Sequence, residues 1–128
     1  MPRHKSELLT SVELEFMLVL WRLGPSTVRE VLEGLGGEGQ RAYTSVATTL
    51  KILHDKGYLS SKMKDRAILY QSTLTKTEYE TKTLKSLAAT LFNGTPTAMV
   101  ARLVEDENLS DETIREIKDI IDTRFEGE

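Results

Sequence analysis

The sequence predicts a mainly α-helical protein that carries one small β-hairpin. Three amphipathic segments with helix-capping signals occupy residues 10–56, and two short strand-like runs follow Gly57. From Thr75 onward, apolar residues again recur every three or four positions, which indicates further helices. Three helices followed by a hairpin are the elements of a winged helix-turn-helix, so we expect that fold with additional C-terminal helices.

The first two helices are each marked by a Thr-x-x-Glu capping box. Thr10 can accept a hydrogen bond from the third helical amide while Glu13 returns to the amide of the cap, and residues 27–30 repeat this arrangement. Gly24-Pro25 is expected to end the first helix because proline cannot continue the hydrogen-bond ladder. One apolar stripe of the first helix is expected to face the core: Leu14, Met17, Leu18 and Trp21.

The third helix, predicted from Ala42 to Lys56, has two faces of opposite character. Val46, Leu50 and Leu53 share an apolar face, which is expected to pack into the core. The opposite face is small, hydroxylated and mostly basic: Arg41, Thr44, Ser45, Thr48, Lys51 and Asp55.

Residues 58–63 and 67–72 predict two strands, and the polar residues 64–66 between them predict a compact turn. The resulting hairpin is the wing of the predicted fold. Its basic side chains are Lys62, Lys64 and Arg66.

The third helix and the wing together fit double-stranded DNA. The major groove admits one α-helix, whose hydroxyl side chains can hydrogen-bond base edges while cations reach phosphates. A polar helix face or a basic turn is by itself usually only solvated, so the combination favours DNA binding more than either feature alone. The predicted DNA-binding residues are Arg41, Thr44, Ser45, Thr48 and Lys51 in the third helix and Lys62, Lys64 and Arg66 in the wing.

Charge is unevenly distributed along the chain, whose net charge is −3. Residues 40–70 hold six Lys or Arg against two Asp or Glu, whereas residues 71–128 hold seven against twelve. This asymmetry is typical of a nucleic-acid-facing segment joined to an acidic segment with another role.

We therefore predict a winged-helix DNA-binding domain over 1–72 and a helical dimerisation segment over 73–128. The C-terminal helices have too little chain for a core of their own, and a second copy would bury their apolar stripes in a two-fold dimer. Such a dimer presents two recognition helices about one DNA turn, or a multiple, apart. The predicted dimerisation residues are Tyr79, Leu84, Leu87, Leu91, Met99, Leu103, Ile114, Ile117 and Ile121.

Several classes of function are excluded by what the sequence lacks. With no cysteine and two histidines, neither a disulfide nor a metal site is expected, and no cofactor is predicted. No catalytic Ser/His/Asp set, phosphate-cradling glycine motif or His-Glu-x-x-His is present, so we predict that the protein is not an enzyme.

No apolar run approaches the roughly 20 residues of a transmembrane helix, and no secretory signal follows the basic N-terminus. A cytoplasmic protein without membrane contact is expected.

Several sequence blocks resemble the penicillinase repressor family (BlaI/MecI/CopY type) of winged-helix transcriptional regulators. Thr-Val-Arg-Glu-Val at 27–31 and Ala-Tyr-Thr-Ser-Val at 42–46 are the most specific blocks, and Lys-Gly-Tyr-Leu at 56–59 extends them. The resemblance runs from Leu9 to Tyr70 and is weaker beyond. It implies a homodimeric repressor on a palindromic operator, with the C-terminal helices holding the dimer together.

The resemblance also bears on regulation. In antibiotic-responsive members, a membrane sensor triggers proteolysis at an Asn-Phe bond in the dimerisation segment. The position that looks equivalent here reads Arg102-Leu103, which departs from that pair and is the candidate proteolytic switch. A membrane sensor or protease system is accordingly an implied partner. Copper-responsive members carry a C-terminal cysteine cluster, which this chain lacks.

Two alternatives stay open at the level of the sequence. One is a winged-helix protein–protein adaptor that does not bind DNA, for which an apolar or acidic exposed face on the third helix would be typical. The other is a DNA binder outside the antibiotic response that is gated by a small effector between its domains. A ligand-dependent shift in melting temperature would favour the second.

Overall fold

The computed structural model describes residues 8–127; the ends of the two predicted domains, residues 1–7 and residue 128, lie outside this part. The chain divides into two compact units, one ending at Thr83 and the other beginning at Leu84. The mainly helical fold with a small sheet is the predicted one. Its elements are α1 (Ser11–Leu23), β1 (Ser26–Thr27), α2 (Val28–Gly34), α3 (Tyr43–Asp55), β2 (Leu59–Lys64), β3 (Ala67–Ser72), α4 (Lys76–Leu91), α5 (Pro96–Val104) and α6 (Asp111–Glu126).

Both predicted capping boxes form at the starts of α1 and α2. Glu13 N donates to Thr10 Oγ1 at 3.2 Å, and Thr10 N donates to Glu13 Oε1 at 2.9 Å. Thr27 and Glu30 make the same pair of bonds at 3.2 and 2.9 Å. The first turn of each helix therefore has side-chain partners for amides that lack an intrahelical acceptor.

The buried side of α1 differs from the predicted stripe. Met17 is fully buried, but Leu18 is 43% exposed, while Phe16 and Leu20 are almost completely buried. Trp21 is partly buried against the core. The prediction was wrong for Leu18, whereas Leu14, Met17 and Trp21 lie in or against the core. Because α1 is contacted by α2, α3 and β3, its buried sector is wider than the predicted stripe and includes Phe16 and Leu20.

The apolar face of α3 is confirmed as part of the core. Val46, Leu50 and Leu53 are all 0% exposed. The helix is one residue shorter at each end than predicted. Gly57 follows it with φ +89°, a left-handed conformation that turns the chain into the wing.

A buried ion pair fixes the C-terminal end of α3 to the N-terminal end of α1. Lys56 Nζ donates to Glu13 Oε2 at 2.6 Å, and the two side chains are 5% and 7% exposed. Burial opposes ionisation of Glu13, but hydrogen bonds from Lys56 and the Thr10 amide outweigh it and hold the Glu13 pKa below its usual value. Both Glu13 oxygens are thus occupied, one by the helix cap and one by Lys56.

The predicted hairpin is formed by β2 and β3, which pair in an antiparallel register with Lys64 opposite Ala67. The turn contains two residues rather than three, because Lys64 belongs to β2. Asp65 and Arg66 have φ values of +48° and +69°, the sign that a two-residue hairpin turn of type I′ requires at both positions. The sequence did not predict β1, which pairs with β3 to give the order β1-β3-β2, since two residues carry no detectable alternation.

The first compact unit ends within α4, at Thr83. Thr75 and Glu78 form a capping box at its start, with hydrogen bonds of 2.8 and 3.0 Å. Tyr79, in the first turns of α4, belongs to the core of the N-terminal unit. The helix ends at Leu91, before the Asn93-Gly94 turn in which both residues have positive φ.

The C-terminal unit contains the rest of α4 together with α5 and α6. Neither α5 nor α6 has a buried residue. Ser110 caps α6 by accepting from the Thr113 amide at 3.0 Å. Local features such as the Ser110 cap therefore favour these helices, but no core of their own covers their apolar side chains.

Candidate nucleic-acid interface

The outward face of α3 presents four of the predicted DNA-binding residues together. Thr44, Ser45, Thr48 and Lys51 are all exposed, on the side of the helix opposite its fully buried aliphatic residues. Among residues 8–127, Lys51 has no carboxylate within ion-pair distance, so its ammonium group is available to an external anion. The hydroxyl side chains on this face are short, so the helix could lie close to the base edges of the DNA major groove.

Thr48 has a restricted hydrogen-bonding capacity. Its Oγ1 donates to the backbone oxygen of Thr44 at 2.9 Å. Because a hydroxyl carries one proton, Thr48 can only accept from a base, or offer its methyl group to a thymine methyl. While this bond is formed, Thr48 cannot donate a hydrogen bond to a base.

Arg41 lies apart from this face. It precedes the first residue of α3, and its Nη2 donates to Glu15 Oε2 in α1 at 2.6 Å. Its guanidinium carbon lies 5.5 Å from the centre of the Phe16 ring, and its side chain is 28% exposed. In this conformation Arg41 is held against α1, at the edge of the α3 face.

The wing presents all three of its predicted basic residues to solvent. Lys62 and Lys64 lie on one face of β2, because alternate residues of a strand point to the same side. Leu59 is on the other face and is buried. Arg66 occupies the second position of the turn. The structure thus places a line of three cations along the outer half of the hairpin.

Arg29, which lies near the start of α3, was not among the predicted DNA-binding residues. Arg29 of α2 lies with its guanidinium carbon 5.1 Å from the centre of the Tyr43 ring, and Tyr43 is the first residue of α3. Arg29 Nη1 also donates to Glu38 Oε1 at 2.8 Å, and this carboxylate raises the pKa of the guanidinium. The only sequence signal was the Arg29 position in a family-like block, which does not reveal that α2 carries it to the end of α3.

Most of the predicted dimerisation residues lie in the C-terminal unit and are exposed or half-buried. A groove of about 600 Å³ is lined there by Leu84, Leu87, Met99, Leu103 and neighbouring side chains. Tyr79 differs from this set. It is 8% exposed, its hydroxyl accepts from the Leu9 amide at 2.9 Å, and its ring lies 5.7 Å from that of Trp21. Ile114 and Ile117 are half-buried, while Leu91 and Ile121 are exposed.

The candidate proteolytic switch, Arg102-Leu103, lies inside α5. Both side chains are exposed, and Arg102 Nη1 is 3.6 Å from Glu105 Oε2 one turn further on. The peptide bond between them is helical. A protease that requires an extended substrate would reach it only after α5 unwinds locally.

A three-helix unit with a basic hairpin wing and an outward polar recognition helix defines the class of winged-helix DNA-binding regulators. Residues 9–123 match the family model described as penicillinase repressor. The chain belongs to the penicillinase repressor family, whose members are DNA-binding transcriptional repressors and not enzymes.

Individual relatives are distant but cover nearly the whole chain. The chain is 23% identical over 121 residues to the methicillin resistance regulatory protein MecI of Staphylococcus aureus strain Mu50, which covers 94% of this chain and 98% of that protein. It is 27% identical over 114 residues to the penicillinase repressor of Bacillus licheniformis, with 89% of each chain covered. Within residues 8–127, no helix is long and apolar enough to cross a membrane.

Proposed function

We propose that this repressor acts as a homodimer that binds a palindromic operator, with α3 in the major groove and the wing on flanking phosphates. The single observation that carries the proposal is the two-sided character of α3. Its aliphatic side is fully buried, whereas its hydroxyl and lysine side is open to solvent. This arrangement is what a recognition helix needs, because the groove must receive a rigidly anchored helix with small polar side chains.

Seven of the eight predicted residues have a task in this proposal; Arg41 is bound to Glu15 in the free protein. Thr44, Ser45 and Thr48 meet base edges near the N-terminal half of α3, and Lys51 contacts a phosphate. Lys62, Lys64 and Arg66 neutralise phosphates beside the site or enter the adjacent minor groove. We propose that the protein carries out this role in the cytoplasm, where the operator DNA lies.

Homodimerisation is supported by the apolar surface of the C-terminal unit. Leu84, Leu91 and Leu103 are 57%, 66% and 53% exposed, and neither α5 nor α6 has a fully buried residue. Exposed leucines in such numbers are costly in water unless another surface covers them. A second copy offers the same apolar surface and, through two-fold symmetry, matches a palindrome.

Control by proteolysis is a further part of the proposal. In the single chain α5 has no buried residue, so local unwinding around Arg102-Leu103 costs little there, whereas the proposed dimer covers Leu103 and protects the bond. Cleavage there, triggered by a membrane sensor or protease system, would remove the segment that holds the dimer together and release the repressor from DNA. Trypsin, which cuts after arginine, provides a direct probe: fragments ending at Arg102 are expected to form faster as dilution dissociates the dimer, and equal resistance of this bond at every protein concentration would contradict the proposal.

The operator is found by selection from a pool of random DNA duplexes. Retained duplexes are expected to contain an inverted repeat whose half-sites lie about 10 base pairs, or a multiple, apart. Lys51→Glu should abolish retention, whereas Arg115→Glu, the reversal of another exposed cation without an ion-pair partner in the described residues, should not. Absence of any enriched repeat would contradict operator binding and favour an adaptor role.

A further inference from the structure

Two ion pairs lie at the N-terminal end of the recognition helix, within the N-terminal unit. Arg41 is bound to Glu15 and Arg29 is bound to Glu38, with N–O distances of 2.6 and 2.8 Å. Both arginines are next to the start of α3: Arg41 precedes its N-cap, and Arg29 stacks on its first residue, Tyr43. We call Arg29 and Arg41 the arginine edge.

The arginine edge lies where DNA phosphates must pass. A recognition helix enters the major groove with its N-terminal residues nearest the bases, so its first turn is flanked by the sugar–phosphate backbone. Guanidinium groups bind phosphate and carboxylate oxygens in the same fork geometry. Each carboxylate here accepts from one guanidinium nitrogen, which a phosphate oxygen could bind in its place.

The two pairs are exposed enough to exchange partners. The Glu15 and Glu38 side chains are 52% and 65% exposed, and Arg29 is 55% exposed. Exposed ion pairs contribute little free energy, so opening one is easily offset by a phosphate contact. Arg41 is more restricted, because its guanidinium lies over the buried Phe16 ring. It can exchange one acceptor for another without leaving this position.

We propose that Glu15 and Glu38 are internal competitors of the DNA backbone, each of which occupies an arginine of the arginine edge in the free protein and yields it to a phosphate in the complex. This inference rests on the proposed operator binding. It adds Arg29 to the DNA-contacting residues and gives the two glutamates a role in lowering affinity. Competition of this kind weakens binding to every DNA sequence equally, because phosphates carry no sequence information.

The test measures binding of the full-length variants to a selected operator duplex and to a random duplex of equal length. Glu15→Gln is expected to tighten binding to both duplexes by about two- to fivefold, the range that an exposed ion pair permits. Arg41→Met, which keeps an alkyl stem over Phe16, is expected to weaken both and to reduce the slope of log K against log salt concentration by about 0.9 for each lost phosphate contact. In the double variant, the gain from Glu15→Gln should disappear.

The pair Arg29 and Glu38 gives an independent repeat of the same cycle, with Glu38→Gln and Arg29→Met. The matched control is Glu107→Gln, which removes one exposed negative charge from the C-terminal unit. It should leave binding unchanged. Melting curves of all variants check that each one is folded.

Three results would overturn the inference. If Glu15→Gln still tightens binding when Arg41 is Met, the glutamate acts by repulsion and not by competition. If Glu107→Gln tightens binding equally, only net charge matters. If Arg41→Met and Arg29→Met bind like the unmodified protein while Lys51→Ala binds weakly, the protein is a DNA binder but the arginine edge is not part of its interface. Loss of DNA binding by every form, including the unmodified protein, would instead contradict the proposed function itself.

Discussion

At the scale of single residues, we predict that the exposed side of α3 combines one phosphate contact with several base contacts. Lys51 is exposed and has no carboxylate partner in the described part of the chain. We expect Lys51→Ala to weaken operator and random duplexes by the same factor and to reduce the salt slope by about 0.9 for each phosphate released. Lys118→Ala, which removes a lysine from α6, is the control. A sequence-dependent loss for Lys51→Ala would contradict a pure phosphate contact.

Thr48 is expected to affect sequence preference, not general affinity. Thr48→Ala should relax the preference at one or two base pairs, by roughly 1–3 kcal/mol. Because its hydroxyl proton is given to the Thr44 oxygen, two substitutions separate the remaining modes. Thr48→Val keeps a methyl group and Thr48→Ser keeps an acceptor. Selection of bound duplexes with each variant shows which one retains the preference, and an unchanged motif with Thr48→Ala would exclude Thr48 from the readout.

The buried pair of Glu13 and Lys56 predicts a pH-dependent stability. The Glu13 pKa is lowered in the folded protein, so its contribution is present above the ordinary carboxyl range and is lost as pH falls through the folded value. Glu13→Gln leaves the buried Lys56 charge without its carboxylate and is expected to destabilise by about 3–5 kcal/mol. Urea unfolding at several pH values measures both effects. The double variant Glu13→Gln/Lys56→Met should be more stable than Glu13→Gln alone, and equal stability would contradict the pairing.

At the scale of elements, the two-residue turn of the wing places a basic side chain, Arg66, in a left-handed backbone conformation. Arg66 adopts φ +69°, which disfavours a residue with a Cβ by about 1–2 kcal/mol relative to glycine. Arg66→Gly is therefore expected to leave the melting temperature unchanged or higher while weakening DNA binding. Asp65→Gly relaxes the neighbouring position without removing a cation, so it should not weaken binding. A parallel fall in stability and affinity for Arg66→Gly would show that the wing acts only through folding.

At the scale of the whole molecule, the proposed function assigns dimerisation and DNA recognition to different units of the chain. The double substitution Leu84→Asp/Leu103→Asp places two charges in the apolar groove of the C-terminal unit. We expect sedimentation to show monomers and operator affinity to fall far more than affinity for a half-site, since each half-site needs only one recognition helix. Val12→Asp, at an exposed position in the first turn of α1, is the control. Dimers that survive both aspartates would contradict the proposed interface.

The sequence determined the local features of this protein, because these depend on neighbours only a few residues apart. The capping boxes at Thr10, Thr27 and Thr75, the left-handed Gly57 and the buried side of α3 all follow from short-range hydrogen bonding and helical periodicity. The outward position of Thr44, Ser45, Thr48 and Lys51 then follows, since one side of a helix fixes the other.

Only the tertiary structure decided the contacts between segments distant in the chain. Glu13 and Lys56 are 43 positions apart and Arg41 and Glu15 are 26 apart, so no periodicity links them. The same applies to Tyr79, whose apolar ring fits the sequence pattern of the C-terminal helices but packs beside Trp21 in the N-terminal unit. Side-chain identity gives the capacity for such contacts, and the way the helices pack determines which of them form.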